Sequence, residues 1–283
     1  MMPQQGRLSL REMCRLAEVS LSGYHRHWKD DAEKEQDTEL RAAIQALALA
    51  DRHLGYRRIH KQLERLGWVA NHKRVLRLMR VDNLLSLRRK PFVKTTRSQP
   101  DLCVYPNLAW GMKLSGINQL WVADITYIHL REEFIYVAIV MDAYSRRIIG
   151  WAVERTLQTI LALQALRMAL QNRGAPSGLV HHSDRGVQYA CAEYVECLQS
   201  AAIEISMSRK GTPWDNAKAE SFMKTLKAEA VDGRRFRDLE DAKEQLGAFM
   251  EEHYNTQRLH SALGYRSPLE FEQALAGKEF SKA

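Results

Sequence analysis

Along the first third of the chain, apolar positions recur about every 3.6 residues; from residue 118 they recur about every second residue or form short continuous runs. Ser9-Leu-Arg-Glu12 has capping-box spacing and opens a stripe of Leu10, Met13, Cys14 and Ala17. A break at Val19-Ser20 precedes a second short helix, LSGYHRHW, so residues 1–30 read as a small helix-turn-helix segment. KDDAEKEQD then reads as a charged link. A helical domain over residues 36–85 follows. Its first helix runs from Thr38 to Arg52 with Leu40, Ile44, Leu47 and Ala48 inward, and its second buries Ile59, Leu63 and Leu66 before Gly67 ends it. Asn71 caps a third helix that turns Val75, Leu76 and Met79 inward. Pro91, Pro100 and Pro106 interrupt any helix in the extended linker over residues 86–117.

From Asn118 the pattern becomes that of strands. NQLWVADITYIHL, FIYVAIVMDAY and RRIIGWAVE read as three adjacent antiparallel strands, with a turn at REE. LQTILALQALRMALQNRG is a helix ended by Gly174, and GLVHHS is a short strand reaching Asp184. The helix AEYVECLQSAA, the strand IEISMS, the loop RKGTPWDN and the helix AKAESFMKTLKAEA complete the order. That order, βββαβαβα over residues 118–232, predicts an α/β core with a mixed sheet, as in the ribonuclease-H-like fold. Residues 233–283 read as a helical extension.

Charge sharpens the division. Residues 1–117 hold 22 Lys and Arg against 12 Asp and Glu, whereas residues 118–283 hold 20 against 22. Between residues 52 and 97, 14 basic residues face only Glu64 and Asp82, which is the electrostatic footprint of a nucleic-acid binder. On this reading Arg57, Arg58, Lys73, Arg74, Arg77 and Arg80 lie on exposed helix faces, the last four on a recognition-type helix, and Arg88, Arg89 and Lys90 sit in the linker. Most such contacts hold phosphates rather than read bases. The longest apolar run, FIYVAIVM, is too short to cross a bilayer, and no apolar leader opens the chain, so a cytoplasmic, nucleoid-associated protein with no membrane partner is expected. Cys14, Cys103, Cys191 and Cys197 lack zinc-site spacing and read as reduced thiols.

The candidate chemistry is acidic. Asp124 interrupts an apolar strand, where a lone buried carboxylate would be costly. Asp184 ends the strand expected to pair beside it, and Glu220 falls early on a later helix, positioned to point back over the sheet. Three converging carboxylates with no evident basic partner would repel one another unless divalent cations intervened. Oxygen-only ligation suits Mg²⁺ or Mn²⁺.

WVADITYI, HHSDRGVQY and DNAKAESFMKTLK, with 35 residues between Asp184 and Glu220, resemble the DDE motif of bacterial insertion-sequence transposases, whose core is related to retroviral integrases. The resemblance extends from GYRRIHKQL to the closing YNTQRLHSALGYRSPLEF. It implies metal-dependent cleavage at the ends of an element, then attack of the freed 3′-hydroxyl on another strand. Two Mg²⁺ or Mn²⁺ ions per site would be held by Asp124, Asp184 and Glu220, with Asp124 bridging them. It also implies double-stranded DNA as partner, a homo-oligomer on that DNA, and an upstream-frame helix-turn-helix protein as fusion or partner. The competing readings are a metal-dependent nuclease that never joins and a DNA-binding regulator with an inactive core.

Around the acidic trio, Lys224 and Lys227 share a helix face with Glu220 and suit either substrate DNA or an ordinary Glu–Lys pair. Arg209 and Lys210 are placed for a DNA backbone, and His182 is a candidate substrate contact. Asp142 is expected to fix the turn after the second strand, and Asn216 to cap the helix bearing Glu220.

Overall fold

A computed structural model describes residues 9–86, 104–130, 133–209 and 212–280. The chain divides into two compact units, Met1–Lys90 and Pro91–Ala283. Arg88, Arg89, Lys90, Lys210, Cys103 and most of the expected linker lie outside the described residues.

The first unit is helical: α1 (Leu10–Leu16), α2 (Leu21–Ala50), α3 (Tyr56–Arg65) and α4 (His72–Val81). The capping box forms as its spacing predicts, Glu12 N–H donating to Ser9 Oγ and Ser9 N–H to Glu12 Oε2. Of the expected α1 stripe, Cys14 is buried while Met13 is exposed. The segment read as a charged link is helix, so α2 runs unbroken for 30 residues. Ala, Glu, Lys and Gln are strong helix formers and KDDAEKEQD contains neither Gly nor Pro, so its charge alone does not interrupt the turn-to-turn bonding.

Leu40, Ile44 and Ala48 of α2 pack with Ile59 and Leu63 of α3 and with Val75, Leu78 and Met79 of α4. Two inward positions differ from the sequence pattern. Leu78 replaces Leu76 as a fully buried residue of α4, and Leu66 is exposed because it is the C-cap of α3, beyond the last turn that faces the core. Gly67, at φ +85°, takes the left-handed conformation that ends α3, and Asn71 Oδ1 accepts from Lys73 N–H at the start of α4. Arg41 of α2 donates to Asp82 at the C-cap of α4.

The second unit is built on a five-stranded sheet of β1 (Leu120–His129), β2 (Phe134–Asp142), β3 (Ile148–Glu154), β4 (Val180–Ser183) and β5 (Glu204–Met207), in the order β3-β2-β1-β4-β5. β1, β2 and β3 are antiparallel neighbours, and β4 and β5 add in parallel on the other side of β1. This is the ribonuclease-H-like arrangement expected from the element order. The helices are α5 (Thr159–Arg173), the single turn α6 (Val187–Ala190), α7 (Ala192–Ser200), α8 (Ala217–Leu226), α9 (Leu239–Ala248) and α10 (Pro268–Phe280). A 3-10 turn, Pro213–Asn216, leads into α8, and π-helical turns extend α8 over Lys227–Val231 and α9 over Phe249–Tyr254.

Strand alternation sorts the side chains into two cores. Leu120, Val122 and Ile128 of β1 meet Phe222, Met223 and Leu226 of α8 and Leu246 of α9, whereas Trp121 and Ala123 meet Leu161, Ala165 and Ala169 of α5 and Tyr194 of α7. Asp124 belongs by register with Leu120 and Val122, and so to the face that α8 covers. At β3 the helix layer comes close to the sheet. A Cβ on Gly150 would stand 2.1 Å from the carbonyl oxygen of Ala165, so only glycine permits α5 to lie this near the strand.

Asp142 fixes the turn after β2 as expected, its Oδ1 accepting from Tyr144 N–H and Ser145 N–H at 2.9 Å and its Oδ2 from Asn118 N–H. The extension from residue 233 packs on the core: Asn255 pairs through both its amide atoms with the backbone of Ile148, and Arg258 makes a two-pronged ion pair with Glu229. Cys14, Cys191 and Cys197 are free thiols. Among the described residues no helix is long and apolar enough to cross a membrane.

Candidate active site on the acidic face of the sheet

Three different kinds of element carry the three carboxylates. Asp124 lies mid-strand in β1, Asp184 follows the last residue of β4, and Glu220 sits in the first turn of α8. Parallel pairing of β4 against β1, with Val122 opposite His182, brings the end of β4 level with Asp124. Asp184 is then turned by its own local bond, Gly186 N–H donating to its Oδ1 at 2.8 Å. A Cβ on Gly186 would lie 2.8 Å from that same oxygen, so a larger residue there would push the carboxylate aside.

Asp124 keeps some contact with solvent, and its hydrogen bond among the described residues is from Ile125 N–H, 2.9 Å from Oδ1. Burial pushes its pKa up to about 8, reinforced by the charge of Asp184 and then by that of Glu220; Lys227 acts in the opposite sense. Burial also raises the pKa of Asp184. Asp184 and Glu220 therefore both act on Asp124 at β1. Among the described residues, however, no group of three Asp, Glu, His or Cys side chains is set to hold a metal ion as it stands. The donors present are all oxygen, and a pair of mutually repelling, buried carboxylates is chemistry that a hard divalent cation relieves. The residues fit such an ion by donor type and by charge.

The loop between β5 and α8 ties this face together in a way the sequence pattern does not reveal. Asn216 does not cap α8 with its side chain. It is buried and donates from Nδ2 to the carbonyl oxygen of Ala123 at 2.8 Å, which locks the start of the Glu220 helix onto the backbone beside Asp124. Its Oδ1 is buried with no hydrogen-bond partner. Lys218, in the first turn of α8, donates to the carbonyl oxygen of Ala143 at 2.7 Å. Asp215 accepts from Arg209 N–H, Nε and Nη2 and from Asn107 Nδ2, at 2.8–3.0 Å, and these bonds hold its carboxyl down at about 2.

The remaining expected residues fall into distinct settings. Lys224, whose side chain is well exposed, stands 3.9 Å from Glu220, the ordinary helix pair that is one of the two settings its spacing allows. Lys227 lies over the ring of Tyr127 at 4.6 Å. Arg209 is bound to Asp215 while half its side chain remains exposed. His182 is fully buried, with Ser206 Oγ 2.8 Å from Nδ1 and Ser208 Oγ 3.0 Å from Nε2, and burial lowers its pKa to about 4. It is a neutral strut between β4 and β5, out of reach of a substrate. In the helical unit Arg57, Lys73, Arg77 and Arg80 are exposed, and Arg58 and Arg74 are partly covered.

Residues 115–213 match a family model described as "Integrase core domain", residues 201–268 match a second model of the same description, and residues 35–92 match an "HTH-like domain". The chain is 36% identical over 266 residues to an insertion element IS600 31 kDa protein of Shigella sonnei, covering 92% of this chain and 97% of that one. It is 33% identical over 274 residues to the transposase InsF for insertion sequence IS3A of Escherichia coli, covering 95% of each. Among solved structures, the HTLV-2 integrase catalytic core domain in complex with magnesium aligns with 55% of this chain and 96% of its own, at 15% identity and a TM-score of 0.43.

Proposed function

The chain belongs to the insertion-sequence transposases with an integrase core domain, and from that premise we propose that it cleaves DNA at the ends of its element and joins the freed 3′-hydroxyl to a second strand. The observation that supports this chemistry most directly is the coupling of Asp184 and Glu220 to Asp124, a buried carboxyl whose pKa they help raise to about 8. A fold that tolerates such repulsion among acids on three separate elements holds them there for a charge supplied from outside.

Asp124, Asp184 and Glu220 are the residues that would hold Mg²⁺ or Mn²⁺. Two such ions would supply positive charge to the attacking and leaving oxygens of an in-line displacement at phosphorus. The protein's own groups do the rest. Gly186 N–H orients Asp184, and the Asn216 amide fixes the helix carrying Glu220 against β1. Lys224, on the solvent side of Glu220, offers its ammonium to a phosphate of the incoming strand. The exposed cations of the helical unit, Arg57, Lys73, Arg77 and Arg80, with Arg58 and Arg74 beside them, bind the DNA backbone. Arg88, Arg89, Lys90 and Lys210 belong to the same set by sequence.

The decisive experiment supplies the chain with its native element ends, pre-cleaved, together with Mg²⁺ and target DNA, and follows joined product. Joined strands that depend on Asp184 support the proposal. Cleavage without joining identifies a nuclease, and joining that survives Asp184→Asn removes the acidic trio from the reaction. Running the assay with and without the upstream-frame product tests whether this chain needs that partner.

A further inference from the structure

Two tryptophans stand exposed on the segments that frame the acidic face. Trp214, 71% exposed, occupies the 3-10 turn six residues before Glu220, and Trp110, 65% exposed, lies on the segment that borders β5. Indole rings are normally buried or tucked against apolar neighbours. Among the described residues the Trp214 ring has neither a hydrogen bond nor a ring contact. Trp110 carries the Arg209 guanidinium over its face, 4.0 Å from the centroid.

Neither residue sits on a loose loop. Asp215, next to Trp214, is held by four N–H donors from Arg209 and Asn107, and Asn216 is anchored to Ala123. Trp110 N–H donates to Asn107 Oδ1, while Leu108 and Ala109 N–H donate to Ser206 Oγ, the hydroxyl that also meets His182. The same Asn107–Asp215–Arg209 network thus fixes the mounting of both rings, and Asn216, next in the chain after Asp215, is bonded to the residue preceding Asp124. The chain presents two rigid aromatic surfaces and a stacked cation beside its carboxylates, with Lys224 exposed on the adjoining helix.

We propose that Trp214 and the Trp110–Arg209 pair form a stacking platform for unpaired nucleobases of the DNA being processed. This rests on the transposase reading above and adds the form of the substrate: a duplex opened locally beside the reacting phosphate. Aromatic faces stack on any base without regard to sequence, and a guanidinium held flat over a ring adds a further surface for stacking. A paired base offers no face to such a platform, because both its faces are occupied within the helix.

The test measures binding, not chemistry, in the full-length Asp124→Asn chain without divalent metal. Fluorescence anisotropy compares a blunt duplex with a duplex of identical sequence whose last few base pairs are replaced by mismatches. The forked duplex should bind about tenfold more tightly, the scale of one or two stacked bases. Trp214→Ala and Trp110→Ala should each reduce that preference, and Trp214→Phe should restore most of it, while affinity for the blunt duplex stays within about twofold. Equal binding of the two duplexes, or a preference that survives both alanine variants, overturns the platform. So does a shift in sedimentation coefficient of the DNA-free Trp214→Ala chain, which would assign the ring to contact with a second copy. Failure to bind any duplex, with and without the upstream-frame product, would instead overturn the DNA-joining function proposed above and leave the platform with no substrate.

Discussion

The helical unit and the sheet unit use charge in opposite ways. The first keeps these cations outside: α3 and α4 bury Ile59, Leu63, Val75, Leu78 and Met79 and leave Arg57, Lys73, Arg77 and Arg80 on the surface. The second sets one carboxyl, Asp124, half-buried on a strand whose neighbours are almost all apolar, and burial together with the nearby charges of Asp184 and Glu220 makes its ionisation costly. Surface charge governs how tightly and how salt-sensitively DNA is held. On the proposed function, the half-buried carboxyls act at one phosphate, and their ionisation makes the free protein less stable than its packing would allow.

Replacing Asp124 or Asp184 by Asn should therefore separate the two functions most sharply. Joining should fall by about a thousandfold or more, the scale expected when metal-held carboxylates are removed, while DNA affinity changes by less than about threefold. A parallel loss of affinity in gel-shift titrations would show that the core carries the binding as well. The converse variant, Lys73→Ala, Arg77→Ala and Arg80→Ala together, should flatten the plot of log affinity against log salt by about 0.9 for each phosphate no longer neutralised. Its joining rate at saturating protein should hold. An unchanged slope would remove α4 from the interface.

Asn216→Ala tests the tie between the helix of Glu220 and β1. Joining should fall by about tenfold or more with the chain still folded, because the carboxylates remain but their spacing relaxes. A variant as active as the parent would reduce that amide to a packing role. The smallest effect concerns stability. The folded-state pKa of Asp124, about 8, lies above its ordinary value of 3.8, so the unfolded chain releases this proton first. Stability should decline as pH climbs between those values and level off above 8. Metal-free Asp124→Asn should escape that decline, its advantage in melting temperature growing across the same window. Added Mg²⁺ should raise the parent's melting temperature near pH 8 by about 2–4 °C for each kcal/mol of binding and leave Asp124→Asn unmoved. Melting curves of the two chains with the same pH profile would contradict the buried charge.

What can be read from the sequence follows the range of the interactions involved. Caps at Ser9 and Asn71, the left-handed stop at Gly67 and the three antiparallel strands are local or period-driven, and each forms as the residues predict. The unbroken α2 is hidden wherever charge is weighed above helix propensity in KDDAEKEQD. At the site, Asp124, Asp184 and Glu220 stand out as acids in apolar or strand-end settings. The roles of Asn216, Asp215 and His182 do not, since each depends on a partner 93, 108 or 24 residues away that no spacing rule connects. Asn216 resembles a helix cap because its position allows one; tertiary contact with Ala123 takes its amide instead.

The borders of the sheet have a further consequence. On β3, Asn255 occupies both hydrogen-bonding groups of Ile148, Asn172 donates to Ile149 O and Met168 Sδ receives Trp151 N–H, while on the opposite border Met207 N–H meets Pro106 O. At these positions an added strand would first have to break the bonds already made. Strand addition at either border is therefore costly at those residues, and crowding the chain should favour contacts through side chains and helices over growing ribbons.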